Sequence, residues 1–141
     1  MNMIIFYLLD AMRKLSWDDF DSSLNQITYA CRYKKFSGVY GFPRGGLCLS
    51  VAISHLLTIP FLREPMPNSL VVDDVYETGL TLNKIKRLSG VTAFVWFSKV
   101  EPIWWNAVEV CDASEWLVFP WENPVLAEQD RDSFQLRRGK L

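Results

Sequence analysis

Apolar positions along this chain follow two rhythms. Phe20, Leu24, Ile27 and Cys31 recur at spacings of three and four, the period of one helix face, which predicts an amphipathic helix over residues 17–32. Ser16 and Asp19 open it with the spacing of a capping box. Elsewhere the apolar residues come in short clusters that read as strands, at residues 38–42, 58–62, 70–72, 91–97 and 108–111, with 70–72 and 91–97 the continuous runs. Unbroken runs of this length suit strands of a parallel sheet buried on both faces. Between them, residues 47–57 and 82–88 read as helices. Strands alternating with helices predict an α/β fold, a three-layer sandwich around a mostly parallel sheet.

The two ends of the chain break the pattern. Ile4 to Leu9 form an apolar run too short to span a bilayer, with no basic segment before it and no small-residue cleavage site after it. Residues 1–15 are read as an N-terminal extension packing on the domain, or as an overlong start, since Met12 could equally begin the chain. Residues 16–127 form the single domain, and 128–141 a charged, solvated tail without periodicity.

Composition narrows the classes. The chain has 141 residues, 50% hydrophobic and 22% charged, enough for one globular core and too few for two. A net charge of −1 gives no electrostatic reason to expect nucleic acid or an anionic membrane as partner. Cys31, Cys48 and Cys111 are widely spaced and read as small hydrophobes in a reducing, cytoplasmic setting. A single histidine, His55 in an apolar helical run, and no cysteine cluster argue against zinc. Trp96, Trp104, Trp105, Trp116 and Trp121 crowd one third of the chain, so that third forms core or lines a pocket for a flat ligand.

Candidate chemistry concentrates in residues 69–82, S-L-V-V-D-D-V-Y-E-T-G-L-T-L. Leu70, Val71 and Val72 make a buried strand; Asp73 and Asp74 follow, then a turn with Thr78, Gly79 and Thr81 leading into a helix. In open α/β sheets ligands bind at the carboxyl ends of strands, and the bare N–H groups at a helix start favour phosphate. The two carboxylates suit sugar hydroxyls or a hydrated magnesium ion. A second such turn, Pro43-Arg44-Gly45-Gly46, lies between the strand at 38–42 and the helix at 47–57. Arg44 offers a planar fork of donors and the glycines bare the backbone. A nucleoside triphosphatase is excluded: residues 41–48 read G-F-P-R-G-G-L-C and lack the lysine and hydroxyl of a phosphate-binding P-loop.

The string D-D-V-Y-E-T-G-L-T resembles the phosphoribosyl-pyrophosphate motif of the type I phosphoribosyltransferases. F-P-R-G-G-L, Lys99 after the strand at 91–97, and W-L-V-F-P-W-E at 116–122 resemble, in the same order, segments of the xanthine-guanine (6-oxopurine) members. The resemblance implies transfer of a 5-phosphoribosyl group from phosphoribosyl pyrophosphate to guanine, xanthine or hypoxanthine in purine salvage. It implies Mg2+ held by Asp73 and Asp74, which also bind the ribose, and a cis peptide joining Pro43 to Arg44. Pro43, Arg44, Gly45 and Gly46 would hold the pyrophosphate. Tyr76, Glu77, Thr78, Gly79, Leu80 and Thr81 would hold the 5-phosphate. Glu77 stands where the family usually has an aspartate that accepts the purine's imidazole proton. Lys99 would donate to the 6-oxo group, Trp116 would stack on the base, and the backbone at Leu117 and Val118 would read its edge, in a small C-terminal hood. Trp121 is read as core. A homo-oligomer is expected. The family's long mobile loop has almost no room between Leu62 and Ser69, which keeps open a sensor of the donor with little catalysis. A transferase for a different base also stays open.

Overall fold

The computed structural model describes residues 12–137, so the apolar run at 4–9 lies outside the described residues. Within this range the elements run β1 (Met12–Lys14), α1 (Trp17–Ala30), β2 (Val39–Gly41), α2 (Leu47–Leu57), β3 (Leu70–Tyr76), a 3-10 turn (Leu82–Ile85), β4 (Thr92–Ser98), β5 (Asn106–Val110), β6 (Trp116–Val118) and α3 (Pro124–Arg137). They divide into two compact units, one from Asp21 to Ala113 and one made, among the described residues, of 12–20 and 114–137. No helix among the described residues is long and apolar enough to cross a membrane.

The larger unit is built on a four-stranded sheet in the order β2-β3-β4-β5, every neighbouring pair parallel. The unbroken apolar runs account for it. Leu70, Val71 and Val72 of β3 and Val95 of β4 are fully buried, and Ala93, Phe94, Trp96 and Phe97 nearly so. Helix α2 packs on β2 and β3 through an apolar face in which Leu49 and Ile53 are fully buried. A second apolar cluster joins Val71, Ala93 and Val95 to Tyr76, Leu82, Ile85 and Trp105.

Several elements differ from the sequence reading. β3 does not stop at Val72 but continues through both aspartates to Tyr76, because β4 goes on pairing with it: Asp73 stands opposite Val95, Val75 opposite Phe97 and Tyr76 opposite Ser98. The helix expected over 82–88 is a single 3-10 turn. Leu82 and Ile85, both buried, are three residues apart, and a three-residue period puts them on one side. The strand expected at 58–62 reduces to one bridge between Phe61 and Val39, flanked by hydrogen bonds from Val39 N to Pro60 O and from Leu62 N to Val39 O.

The smaller unit pairs β1 with β6 in parallel, Met12 opposite Trp116 and Lys14 opposite Val118. Phe119 stacks on Trp121 at 5.1 Å and 7°, while Phe20 meets Trp121 edge-on at 6.0 Å. Trp121 is thus a packing residue, as read from the sequence. Most of the segment read as a solvated tail is helical in α3. Asn123 caps it, its side chain accepting from Val125 N at 3.0 Å, and Pro124 occupies the first position, where a missing N–H costs nothing. Ala127 and Arg131, four apart, are its buried side chains among those described.

The capping box at the head of α1 forms: Asp19 N donates to Ser16 Oγ at 3.0 Å and Ser16 N donates to Asp19 Oδ2 at 2.8 Å. Ser16→Ala should therefore lower unfolding stability by about 1 kcal/mol. Denaturant titration checks this, and an unchanged midpoint would mean that packing alone fixes the start of the helix.

Candidate functional site

The parallel sheet directs the carboxyl ends of β2, β3 and β4 to one edge, and the sequence places chemistry after each. The β2–α2 turn is closed by Gly46 N donating to Phe42 O at 2.8 Å and Leu47 N donating to Arg44 O at 3.1 Å. Phe42 N donates to Val72 O at 3.1 Å, which ties this turn to β3. The peptide joining Pro43 and Arg44 is cis. Pro43 and Arg44 are exposed, and the N–H groups of Arg44 and Gly45 have no acceptor among the described residues. Gly45 has no room for a side chain: a Cβ there would run into the Asp74 carboxylate. The turn therefore rests directly on the acidic pair of β3.

Those two acids are largely withdrawn from water, Asp73 buried and Asp74 half-buried. Asp73 accepts from Asp74 N at 2.9 Å, and Asp74 accepts from Val75 N at 2.8 Å. Burial, and the Asp74 carboxylate beside it, push Asp73 up to about 8. Burial likewise raises Asp74. Neither has a lysine or arginine partner among the described residues. No group of three metal-binding side chains occurs among the described residues, so a closed all-protein site is not built. Magnesium, which keeps several waters and takes one or two carboxylates plus substrate phosphate oxygens, fits an unpaired acidic pair of this kind.

The loop after β3 is shaped for an anion. Gly79 sits at φ +80°, a conformation that favours glycine, and a Cβ there would collide with the Tyr76 hydroxyl and lie 2.7 Å from Asn83 Nδ2. Of the N–H groups from Glu77 to Thr81, only that of Leu80 has an acceptor among the described residues, Thr78 Oγ1 at 3.4 Å. Thr78, Leu80 and Thr81 are exposed. Several bare N–H groups and two hydroxyls thus converge on one short loop. Its base is held by Tyr76, stacked on Trp105 at 3.7 Å and 13°, and Trp105 Nε1 donates to Ser98 Oγ at 3.2 Å. Trp104 Nε1 reaches Asn83 Oδ1 at 3.2 Å. The crowding of tryptophans in the sequence carried the signal for this support, without saying what it supports.

Beyond β4, Lys99 forms an ion pair with Glu77, Nζ to Oε1 at 2.9 Å, and donates to Ala113 O at 3.4 Å. The structure thus brings the two phosphate-type loops, Asp73, Asp74, Glu77 and Lys99 together on one unit. Trp116, Leu117 and Val118 lie on β6 of the other, Trp116 half-buried and the other two buried, with Val118 O already accepting from Leu15 N at 2.8 Å.

No protein-family model matches the chain, and no curated protein matches it. Solved structures do. A purine phosphoribosyltransferase from Pyrococcus horikoshii aligns over 80% of this chain and 95% of its own, with a TM-score of 0.67 and 24% identity. A xanthine-guanine-hypoxanthine phosphoribosyltransferase from Helicobacter pylori aligns over 84% and 99%, with a TM-score of 0.62 and 16% identity. A Neisseria gonorrhoeae protein with bound ppGpp aligns over 89% and 98%, with a TM-score of 0.64 and 14% identity. Orotate and adenine phosphoribosyltransferases also match, at TM-scores of 0.56 and 0.54.

The acidic pair has a measurable signature. Between the ordinary carboxyl range near ~4 and the raised value of about 8, folded Asp73 keeps a proton that the unfolded chain has released. Stability without ligand should therefore fall as pH rises through that window. Asp73→Asn should remove part of the fall, so that its melting temperature gains on the parent between about pH 4 and about pH 8 and the gap levels off above. A gap that does not change with pH would mean that Asp73 ionises normally.

Proposed function

The chain has the fold of the type I phosphoribosyltransferases, and on that fold we propose that it is a purine phosphoribosyltransferase. It transfers a 5-phosphoribosyl group from phosphoribosyl pyrophosphate to guanine, xanthine or hypoxanthine and releases pyrophosphate, a reaction of purine salvage. One observation carries the reading: two loops with bare N–H groups flank a buried carboxylate pair, with an acceptor–donor pair, Glu77 and Lys99, beside them. A donor with phosphate at one end, pyrophosphate at the other and sugar hydroxyls between has the same order of groups.

Each residue then has a task. Arg44 and the backbone of Pro43, Gly45 and Gly46 hold the pyrophosphate. The loop from Tyr76 to Thr81 holds the 5-phosphate, and Asp73 and Asp74 orient the ribose hydroxyls. Mg2+, when bound by Asp73 and Asp74 with the donor's phosphate oxygens, supplies charge neutralisation for the leaving group. The anomeric carbon becomes cationic as its bond to pyrophosphate breaks, so holding both reactants in line lowers the barrier. Glu77 takes the imidazole proton of the base as the ring nitrogen bonds to that carbon. Lys99 faces the 6-oxo group, and Trp116, with Leu117 and Val118, serves the base as the resemblance implies. Lysine only donates, so it would meet the 6-amino group of adenine donor to donor, and an unpaired buried donor is penalised.

Pyrophosphate release measured with magnesium, the donor and a panel of bases tests the proposal. Release should require guanine, hypoxanthine or xanthine and should not occur with adenine. Equal release with no base would leave a hydrolase, and donor binding without release a sensor. In the same assay Glu77→Gln should cut turnover by about 10²–10⁴-fold with donor affinity unchanged. A loss below about threefold would take the proton-accepting role away from Glu77.

A further inference from the structure

We propose that Lys99, whatever it contributes to the base, is the positioning residue for Glu77, and that the two work as one unit. The inference rests on the phosphoribosyl-transfer reading. Its origin is the register of the sheet. β3 and β4 run in parallel with Tyr76 opposite Ser98, and Lys99 N donates to Tyr76 O at 2.9 Å. The register therefore continues one step past both strands and sets Glu77 beside Lys99.

The pair is asymmetric. The lysine side chain is 6% exposed and the glutamate side chain 41%. The ammonium is the fixed end: it is buried, donates to Ala113 O at 3.4 Å and meets Glu77 Oε1 at 2.9 Å. The carboxylate is the end that needs fixing. Glutamate is long, stands on an exposed loop and loses appreciable rotamer freedom when ordered. A reacting group misplaced by about 1 Å can cost about 10²-fold in rate. A half-exposed ion pair contributes little to stability. What this one contributes is aim, because an ammonium carries several donors and can hold a backbone carbonyl and a carboxylate together.

Transfer kinetics of the parent, Glu77→Gln, Lys99→Met and the double variant test this. Lys99→Met should lower kcat by about tenfold in the parent, and that loss should all but vanish in the Glu77→Gln background, with the donor KM unchanged throughout. Recognition of the 6-oxo group by Lys99 would appear separately, in the KM for the base. Equal kcat losses in both backgrounds would overturn the positioning role. Nitrogen-15 NMR of the Lys99 ammonium gives a readout independent of activity: Glu77→Gln should shift the Nζ resonance and speed its proton exchange. An unmoved resonance overturns the inference even if transfer is seen. A shifted resonance in a parent that transfers to no base would instead overturn the phosphoribosyl-transfer reading, and the positioning role with it.

Discussion

Two neighbouring carboxylates, Asp73 and Asp74, are packed at the end of a buried strand where water cannot fully solvate them, and the rest of the site is arranged around that cost. They stay in place because β4 keeps pairing with β3 beyond Val72, as far as Tyr76, which holds an otherwise strand-averse dipeptide extended. The loop between β2 and α2 closes over them only because Gly45 has no side chain. The loop after them begins at Tyr76, held by the face of Trp105. Binding of a cation, or of hydroxyl donors from a sugar, would favour the ionised pair that burial disfavours. Binding of such a ligand would therefore be coupled to proton release at this edge of the sheet.

Much of this was legible from residue order. The unbroken apolar runs gave the parallel sheet, the three-and-four spacing gave α1 with its capping box, and α2 was read with the bounds it has. Both loops that bare their N–H groups were found from glycine and hydroxyl positions. Other features were hidden for identifiable reasons. Aspartate is a poor strand former, so nothing local said that β3 would run on through two of them. In α3 the buried side chains among those described are an alanine and an arginine, and a charged residue on the packed face interrupts the apolar period. The Glu77–Lys99 pair depends on the registration of two strands, which local spacing does not encode.

The proposed base side is less closely constrained than the proposed phosphate side. Orotate, adenine and other purine phosphoribosyltransferases share this fold. The proposal of a 6-oxopurine acceptor therefore rests on the donor Lys99 next to the acceptor Glu77, rather than on the architecture. A fold that serves several acceptors selects among them through such pairs of side chains.

The parallel pairing of β1 with β6 also sets an order of events during synthesis. It joins Met12 to Trp116, near opposite ends of the chain, and closing so long a loop costs more entropy than joining strands close in sequence. Every pairing of the four-stranded sheet lies between Val39 and Val110. A ribosome that has delivered the chain to Ala113 has made every residue of the phosphate-type loops and the acidic pair, while β1 still waits for a partner. The loops proposed for the sugar phosphate can thus be in place before the tryptophan proposed for the base has been translated.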